Sequence, residues 1–170
     1  MKPLCLIPWT NIDIDPRGAI APCCKYQDNV MNIKNNTIQD YMDSKKLKIL
    51  KQKMLDNIWP DECIRCKSEE QNNIKSKRQL DYERWKTPFD NYTEDQGFIT
   101  ASIAFGNTCN LKCITCNPGS SSRWRKEYID VYGIDKPPLE FINNVTSDNI
   151  YNALPNAIHF DIPGGEPFLS

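Results

Sequence analysis

Residues 98–116 have the sequence FITASIAFGNTCNLKCITC. Its first part, up to the Gly106 turn, carries no charge and is rich in β-branched and aromatic side chains, which predicts a buried strand. Three cysteines follow directly: Cys109, Cys113 and Cys116. Three thiols in one short loop predict an open metal site, because a closed structural site normally has four protein ligands. Thiolates at such tight spacing are typical of iron–sulfur ligation.

A helix and a second strand are predicted after the cysteine loop. Ser120–Ser122 offer N-caps to a helix that runs from residue 123 to residue 132 and ends at Gly133. Residues 157–162 form the strand, which ends in Pro163-Gly164-Gly165-Glu166-Pro167. A strand–helix–strand unit implies parallel strands with the functional loops at their carboxyl ends. We therefore expect the cysteine loop and Gly-Gly-Glu-Pro on one rim of a sheet or barrel.

Three side chains in this part are predicted to be structural. Trp124 and Tyr128 are four residues apart on the proposed helix, where core packing is the default interpretation. His159 is the single histidine, and a strand histidine is more often a satisfied core or rim residue than a base.

A β-hairpin is predicted near the N-terminus. Ile and Asp alternate from Ile12, which suits a half-buried strand, and Asp15-Pro16-Arg17-Gly18 is typical turn chemistry. Gly18 would supply a positive φ at the turn. The hairpin would bring Cys5 near Cys23 and Cys24.

A helix is predicted after the hairpin, with Thr37 or Ser44 as its N-cap and Pro60 as its stop. An apolar stripe at helical spacing predicts core packing. The stripe consists of Leu47, Leu50, Met54, Leu55 and Ile58. The charged stretch from Lys67 to Trp85 predicts a solvated helix or an irregular linker, with a domain boundary before residue 98.

A second cysteine pair, Cys63 and Cys66, follows the predicted helix. A Cys-x2-Cys pair alone leaves zinc, iron–sulfur and redox roles open. One structural interpretation is a four-thiolate zinc ribbon, and another makes Cys5 a simple buried thiol.

The composition is that of a globular chain with balanced charge. The 170 residues are 39% hydrophobic and 25% charged, with a formal net charge of −1. This excludes a disordered polyelectrolyte and gives no indication of nucleic-acid binding. No apolar run approaches the roughly 20 residues of a membrane helix, and the N-terminus is unlike a signal peptide. We expect a cytoplasmic protein whose eight cysteines are metal ligands rather than disulfides.

The two predicted rim loops resemble those of the radical S-adenosylmethionine (SAM) enzymes. Members carry Cys-x3-Cys-x2-Cys after the first barrel strand and a Gly-Gly-Glu-Pro sequence after the second. The resemblance implies a 4Fe–4S cluster on Cys109, Cys113 and Cys116 with one iron free to bind SAM. It implies that residues 164–167 bind the amino end of the SAM methionine. One departure is Thr115, where the family often has an aromatic residue near the adenine.

The N-terminal cysteines resemble the first ligands of SPASM and Twitch domains, which hold an auxiliary 4Fe–4S cluster in many radical SAM enzymes. The match includes Pro8-Trp9, Gly18, a Pro-Cys-Cys sequence, a helix and the closing Cys-x2-Cys. By this resemblance the auxiliary ligands are Cys5, Cys23, Cys63 and Cys66. Cys24 is then the spare thiol, because the Gly-x4-Cys spacing favours Cys23.

These resemblances predict an α/β chain in two parts. Residues 1–97 would form an α+β auxiliary module with its connector, and residues 98–170 the first βαβ unit of a partial TIM-like barrel. Because a radical SAM core has about six βα units, the chain would be a truncated protein, part of a split gene or a fragment.

The implied activity is reductive cleavage of SAM to a 5′-deoxyadenosyl radical, which abstracts hydrogen from a substrate. A peptide or protein is the preferred substrate class, because related architectures modify them. A flavodoxin or ferredoxin would donate the electron, and the auxiliary cluster would pass electrons or anchor substrate. The alternative is a non-catalytic module that binds iron–sulfur or zinc, or one that only transfers electrons.

Overall fold

A computed structural model describes residues 4–135 and 150–166. The strands in these ranges are β1 (Asn11–Ile14), β2 (Ala19–Ala21), β3 (Met31–Asn32), β4 (Thr100–Ile103) and β5 (His159–Asp161). They form one sheet in the spatial order β3-β2-β1-β4-β5. The helices include α1 (Ile7–Thr10), α2 (Ile38–Asp43), α3 (Lys45–Leu55), α4 (Ile64–Gln71), α5 (Lys77–Arg84), α6 (Lys86–Asp90) and α7 (Arg125–Tyr132). The predicted α/β class is confirmed.

The predicted hairpin is confirmed as the antiparallel pair of β1 and β2, with Ile14 opposite Ile20. Asp15 holds the turn, because its carboxylate accepts the backbone N–H groups of Arg17 at 2.8 Å and of Ala19 at 2.9 Å. Gly18 has a φ of 84°, which a residue with a Cβ adopts only under strain.

The strands β1, β4 and β5 run parallel. Their carboxyl ends therefore meet at one edge of the sheet, where the loops after β4 and β5 emerge. The cysteine loop follows β4 and the Gly-Gly-Glu turn follows β5, so the prediction of a shared rim is confirmed. The predicted domain boundary at residue 97 lies between β1 and β4 in the sequence, although these two strands pair in one sheet. The division into domains stays a prediction.

One hydrophobic cluster joins the sheet to α2 and α3. Both predicted N-caps exist, because Thr37 caps α2 and Ser44 caps α3. The apolar stripe is only partly correct. Leu47, Leu50 and Met54 are buried, but the side chains of Leu55 and Ile58 are 40% and 53% exposed.

The prediction fails at Ile58 because the helix is shorter than predicted. α3 ends at Leu55, before Pro60, and Asn57 has a positive φ of 56°. The chain therefore leaves the helical path, and Ile58 no longer follows the buried face.

Substitutions of two leucines of α3 test the contrast between its buried and its exposed side chains. We expect Leu47→Ala to lower the free energy of unfolding by about 2–5 kcal/mol, because the fully buried side chain leaves a cavity. Leu55→Ala is the matched control, and its expected loss is below about 1 kcal/mol. Urea unfolding followed by circular dichroism measures both, and equal losses would contradict the packing described here.

Candidate functional site

Four N-terminal thiols, those of Cys5, Cys23, Cys63 and Cys66, lie near one another. Burial raises the pKa of Cys5, and the charges of Cys23 and Cys63 raise it further. Burial also raises the pKa of Cys63 to about 12, with contributions from Cys23 and Cys66. Charge–charge interactions weaken with distance, so these mutual effects require proximity. The structure therefore places these thiols within range of one another's charges, and their role as the four auxiliary ligands stays a prediction.

Elements far apart in the chain bring these thiols together. Cys5 lies before α1, Cys23 lies after β2, and the closing pair spans the start of α4. The backbone N–H of Gln27 donates to the carbonyl of Glu62 at 3.0 Å. This bond joins the loop after β2 to the turn before α4.

Arg78 supports the group from the charged connector, and sequence reasoning missed it. Its guanidinium donates to the carbonyl of Leu4 at 2.6 Å and to the carboxylate of Glu70 at 2.7 Å. It also lies 5.1 Å from the ring centroid of Trp59. Arg78 thereby fixes the residue that precedes Cys5. No helical spacing relates Arg78 to these partners, so no pattern in the sequence indicates these contacts.

Cys24 belongs to different surroundings from its neighbour Cys23. Burial raises the pKa of Cys23 to about 12, and Cys66 is among the groups that act on it. The Cys24 side chain is exposed, and the charges that act on it are those of Lys77, Asp13 and Asp81. The geometry agrees with Cys24 as the spare thiol, and the ligand set stays a prediction.

The described residues contain no group of three or more Cys, His, Asp or Glu side chains arranged to hold a single metal ion. A 4Fe–4S cluster is larger than one ion, and in a four-cysteine site each of its four irons has its own thiolate. The all-cysteine donor set and the proximity of the four thiols fit such a group.

The downstream cysteine loop presents its thiols at the strand-end edge. Cys113 is exposed, and Cys109 and Cys116 are half-buried. The sulfur of Cys109 accepts the backbone N–H of Leu111 at 3.4 Å. Hydrogen bonds of this kind adjust the potential of an iron–sulfur cluster. The three thiols are thus accessible to a cluster and to a small molecule that binds it.

The serines after the loop hold it in place. Ser122 accepts the backbone N–H of Cys109 at 3.3 Å, and Ser121 donates to the carbonyl of Leu111 at 3.0 Å. Neither serine makes a side-chain cap for the helical turn that begins at Ser122. The predicted capping role is therefore wrong, because these hydroxyl groups bind the loop instead. The predicted helix end is correct, with Gly133 in the left-handed region at a φ of 65°.

Two further side chains fix the loop. The indole N–H of Trp124 donates to the carbonyl of Cys113 at 3.2 Å, so this tryptophan is a support of the loop rather than a core residue. Asn107 is 1% exposed, and its amide donates to the carbonyl of Pro118 at 2.9 Å. Asn107 thus ties the two ends of the loop together. Its only sequence signal was its place in the turn after β4.

The Gly-Gly-Glu turn lies directly against the base of the cysteine loop. The backbone N–H of Gly165 donates to the carbonyl of Ser120 at 2.6 Å, and that of Glu166 donates to the carbonyl of Thr108 at 2.8 Å. A Cβ at Gly165 would lie 2.6 Å from the Thr108 carbonyl oxygen. The glycine is therefore needed for close approach to the loop itself. Pro167 lies outside the described residues.

His159 and Thr115 complete the predicted set. The Nε2 atom of His159 is 3.0 Å from the Asp161 carboxylate, and its ring centroid lies 4.9 Å from that of Trp85. The prediction that His159 is satisfied is confirmed, and its role as a structural residue rather than a base stays a prediction. Thr115 is exposed on the cysteine loop, and its place near an adenine stays a prediction.

A comparison with known protein families gives a match for the N-terminal part of the chain. Residues 5–67 match the family model of the SPASM iron–sulfur cluster-binding domain. The matched range begins at Cys5 and ends just after Cys66, so it contains all four gathered thiols. It supports the predicted auxiliary module and an iron–sulfur cofactor.

The match does not extend to the cysteine loop or to the Gly-Gly-Glu turn. No curated protein and no solved structure matches the chain. Among the described helices, none has the length and apolar character needed to cross a membrane.

Proposed function

We propose that the chain is a radical SAM iron–sulfur protein with an auxiliary 4Fe–4S cluster. The observation that carries the proposal is the contact between the Gly-Gly-Glu turn and the cysteine loop. Two backbone hydrogen bonds, from Gly165 and Glu166, hold the turn against residues on either side of the three thiols. A cluster and a ligand of that cluster would thus have adjacent binding elements at one rim.

The residues of the rim have distinct parts in this proposal. Cys109, Cys113 and Cys116 would hold three irons of a cluster and leave the fourth open. Residues 164–167 would bind the amino end of SAM. When bound, the cluster supplies the electron that cleaves the sulfonium C–S bond of SAM. Ser121, Ser122, Asn107 and Trp124 hold the loop rigid, which keeps its thiols in place.

The N-terminal module has the second role. Cys5, Cys23, Cys63 and Cys66 would hold the auxiliary cluster, which would pass electrons or anchor a substrate. The match to an iron–sulfur cluster-binding domain supports this part. We propose a peptide or protein substrate, a flavodoxin or ferredoxin as electron donor, and a cytoplasmic location.

Anaerobic reconstitution followed by SAM and dithionite tests the function. We expect about eight irons per chain from two 4Fe–4S clusters, and release of 5′-deoxyadenosine. Cys113→Ala should lose about four irons and all 5′-deoxyadenosine, because its iron would have no thiolate. Thr115→Ala is the matched control in the same loop and should retain both.

The other outcomes identify the alternatives. Stoichiometric zinc without sulfide would make the chain a zinc-binding module. Two clusters without 5′-deoxyadenosine would make it an iron–sulfur module without SAM cleavage. Unchanged iron in Cys113→Ala would overturn the assignment of the loop.

A further inference from the structure

A cavity of about 550 Å³ opens at the carboxyl ends of the three parallel strands. Its lining includes Asp13 from β1, Ser102 from β4 and Asp161 from β5, together with Cys24 and Gly164. The crevice at the carboxyl ends of parallel strands is where α/β sheets bind ligands. The cavity therefore lies where a ligand is expected.

The strand register produces a polar row in this cavity. Asp13 pairs with Ser102, and Ser102 pairs with Asp161, so their side chains emerge on the same face of the sheet. Ile12 and Ile14, which alternate with Asp13 on β1, are buried in the hydrophobic cluster. One face of the sheet therefore packs in the hydrophobic core, and the other face presents polar side chains that can bind a ligand.

The carboxylate of Asp13 has no counter-ion in an ion pair among the described residues. The Asp13 side chain is half-buried on the strand position opposite Ser102, and burial raises its pKa. In the part of the chain that the structure describes, no Lys, Arg or His forms an ion pair with it. Lys77 is the cation that acts on Asp13, but its amino group is paired with Asp81 at 2.7 Å. A half-buried carboxylate without a counter-ion is costly, and a cationic ligand would offset that cost.

The other acidic groups add to this negative character. Asp161 and Asp15 also line the cavity. Asp161 is paired with His159, and Asp15 accepts backbone N–H groups of the hairpin turn. The described lining residues include no Lys or Arg. The cavity is therefore complementary to a positive charge.

The cavity also connects the two parts of the proposed function. Asp13 and Cys24 belong to the segment that matches the SPASM domain, whereas Gly164 belongs to the predicted SAM-binding turn. A group held by Asp13 would lie beside the place where SAM is proposed to bind.

We propose that this strand-end cavity is the substrate site and that Asp13 binds a cationic group of the substrate, an ammonium or a guanidinium. The word substrate rests on the proposed function, whereas the binding of the cation does not. A lysine or arginine side chain of a peptide has the required chemistry.

Calorimetric titration of the reconstituted full chain with four blocked tripeptides tests the proposal. The probes are N-acetyl-Gly-X-Gly-amides in which X is Arg, Lys, Gln or Glu. We expect one of the two cationic probes to bind at least about tenfold more tightly than the Gln probe, because a charge-assisted bond forms. Asp13→Asn should reduce that preference to less than about twofold, and Asp56→Asn, an exposed control, should keep it.

Equal binding of the cationic, neutral and acidic probes would overturn the proposal, as would an unchanged preference in Asp13→Asn. SAM is itself a cation, so its binding is titrated in the same variant. A loss of SAM affinity as large as the loss for the cationic probe would place Asp13 in the SAM site and overturn the substrate assignment. None of these titrations requires SAM cleavage, so a chain that releases no 5′-deoxyadenosine can still pass this test.

A second measurement needs no variant at position 13. Cys24 is exposed and lines the cavity, so its alkylation by iodoacetamide can be followed by peptide mass spectrometry. The tighter cationic probe should slow the alkylation of Cys24 at least about fivefold at saturation, and the Glu probe should not. Equal rates with both probes would overturn the proposal even if Asp13→Asn fails to fold.

Discussion

Cys23→Ala is expected to abolish the N-terminal cluster, whereas Cys24→Ala retains it. The two cysteines are adjacent and chemically identical, but only Cys23 lies in the group of four thiols. The auxiliary cluster would be held by four thiolates, unlike the three-thiolate cluster of the downstream loop, so we expect the removal of one of them to cost nearly all of its roughly four irons. The comparison therefore tests the surroundings of each thiol rather than the number of cysteines.

The measurement is sharpest when the second cluster is absent. In a background with Cys109, Cys113 and Cys116 all changed to Ala, every iron bound belongs to the N-terminal module. Iron and acid-labile sulfide are then determined after anaerobic reconstitution. The double variant at positions 23 and 24 excludes replacement of one thiol by the other. Equal loss of iron in the two single variants would contradict the choice of Cys23 and make Cys24 a ligand.

The hairpin and the parallel unit were predictable because local signals and the fold agree there. Asp15 and Gly18 carry turn chemistry that only one backbone conformation satisfies. The order of strand, helix and strand allows little choice of topology for the parallel pair. These parts could be predicted from one sequence because the local conformational preferences of their residues agree with the overall fold.

The pairing of β1 with β4 was not predictable in the same way. Nearly ninety residues separate Asn11 from its partner Thr100, and no turn chemistry links two parallel strands. This pairing brings Asp13 beside Ser102 and so builds the cavity. The sequence predicted both cysteine groups but not this cavity.

The supports of the cysteine loop were misread for a related reason. Serines before a helix usually cap it, and a tryptophan on an amphipathic helix usually packs in the core. Here Ser122 and Trp124 have partners that only the folded loop supplies, namely backbone groups of Cys109 and Cys113. A hydrogen bond between a side chain and a distant backbone group leaves no periodic pattern in the sequence.

Gly165→Ala is expected to damage the proposed SAM site far more than its backbone conformation alone would require. Gly165 and Gly133 both have positive φ values, 50° and 65°. An alanine at either position adopts the left-handed region at a cost of about 1–2 kcal/mol. A Cβ at Gly133 meets nothing within 4 Å, whereas one at Gly165 would lie 2.6 Å from the backbone oxygen of Thr108. The turn must therefore move away from the cysteine loop only in Gly165→Ala.

Movement of the turn would break the hydrogen bonds of Gly165 and Glu166 to the loop residues Ser120 and Thr108. A displacement of about 1 Å in a binding element can reduce a reaction rate about a hundredfold. We therefore expect 5′-deoxyadenosine formation to fall about a hundredfold in Gly165→Ala, and less than about twofold in Gly133→Ala. Iron content should stay unchanged in both, because neither glycine carries a ligand.

Thermal unfolding provides a readout that does not depend on activity. Gly165→Ala should lower the midpoint more than Gly133→Ala, because it adds a backbone collision to the same conformational cost. Similar midpoints and similar product formation would show that the Gly-Gly-Glu turn tolerates a side chain at this position. In that case the contact between the turn and the cysteine loop could not carry the proposed function, and the two elements would have to be tested as separate sites.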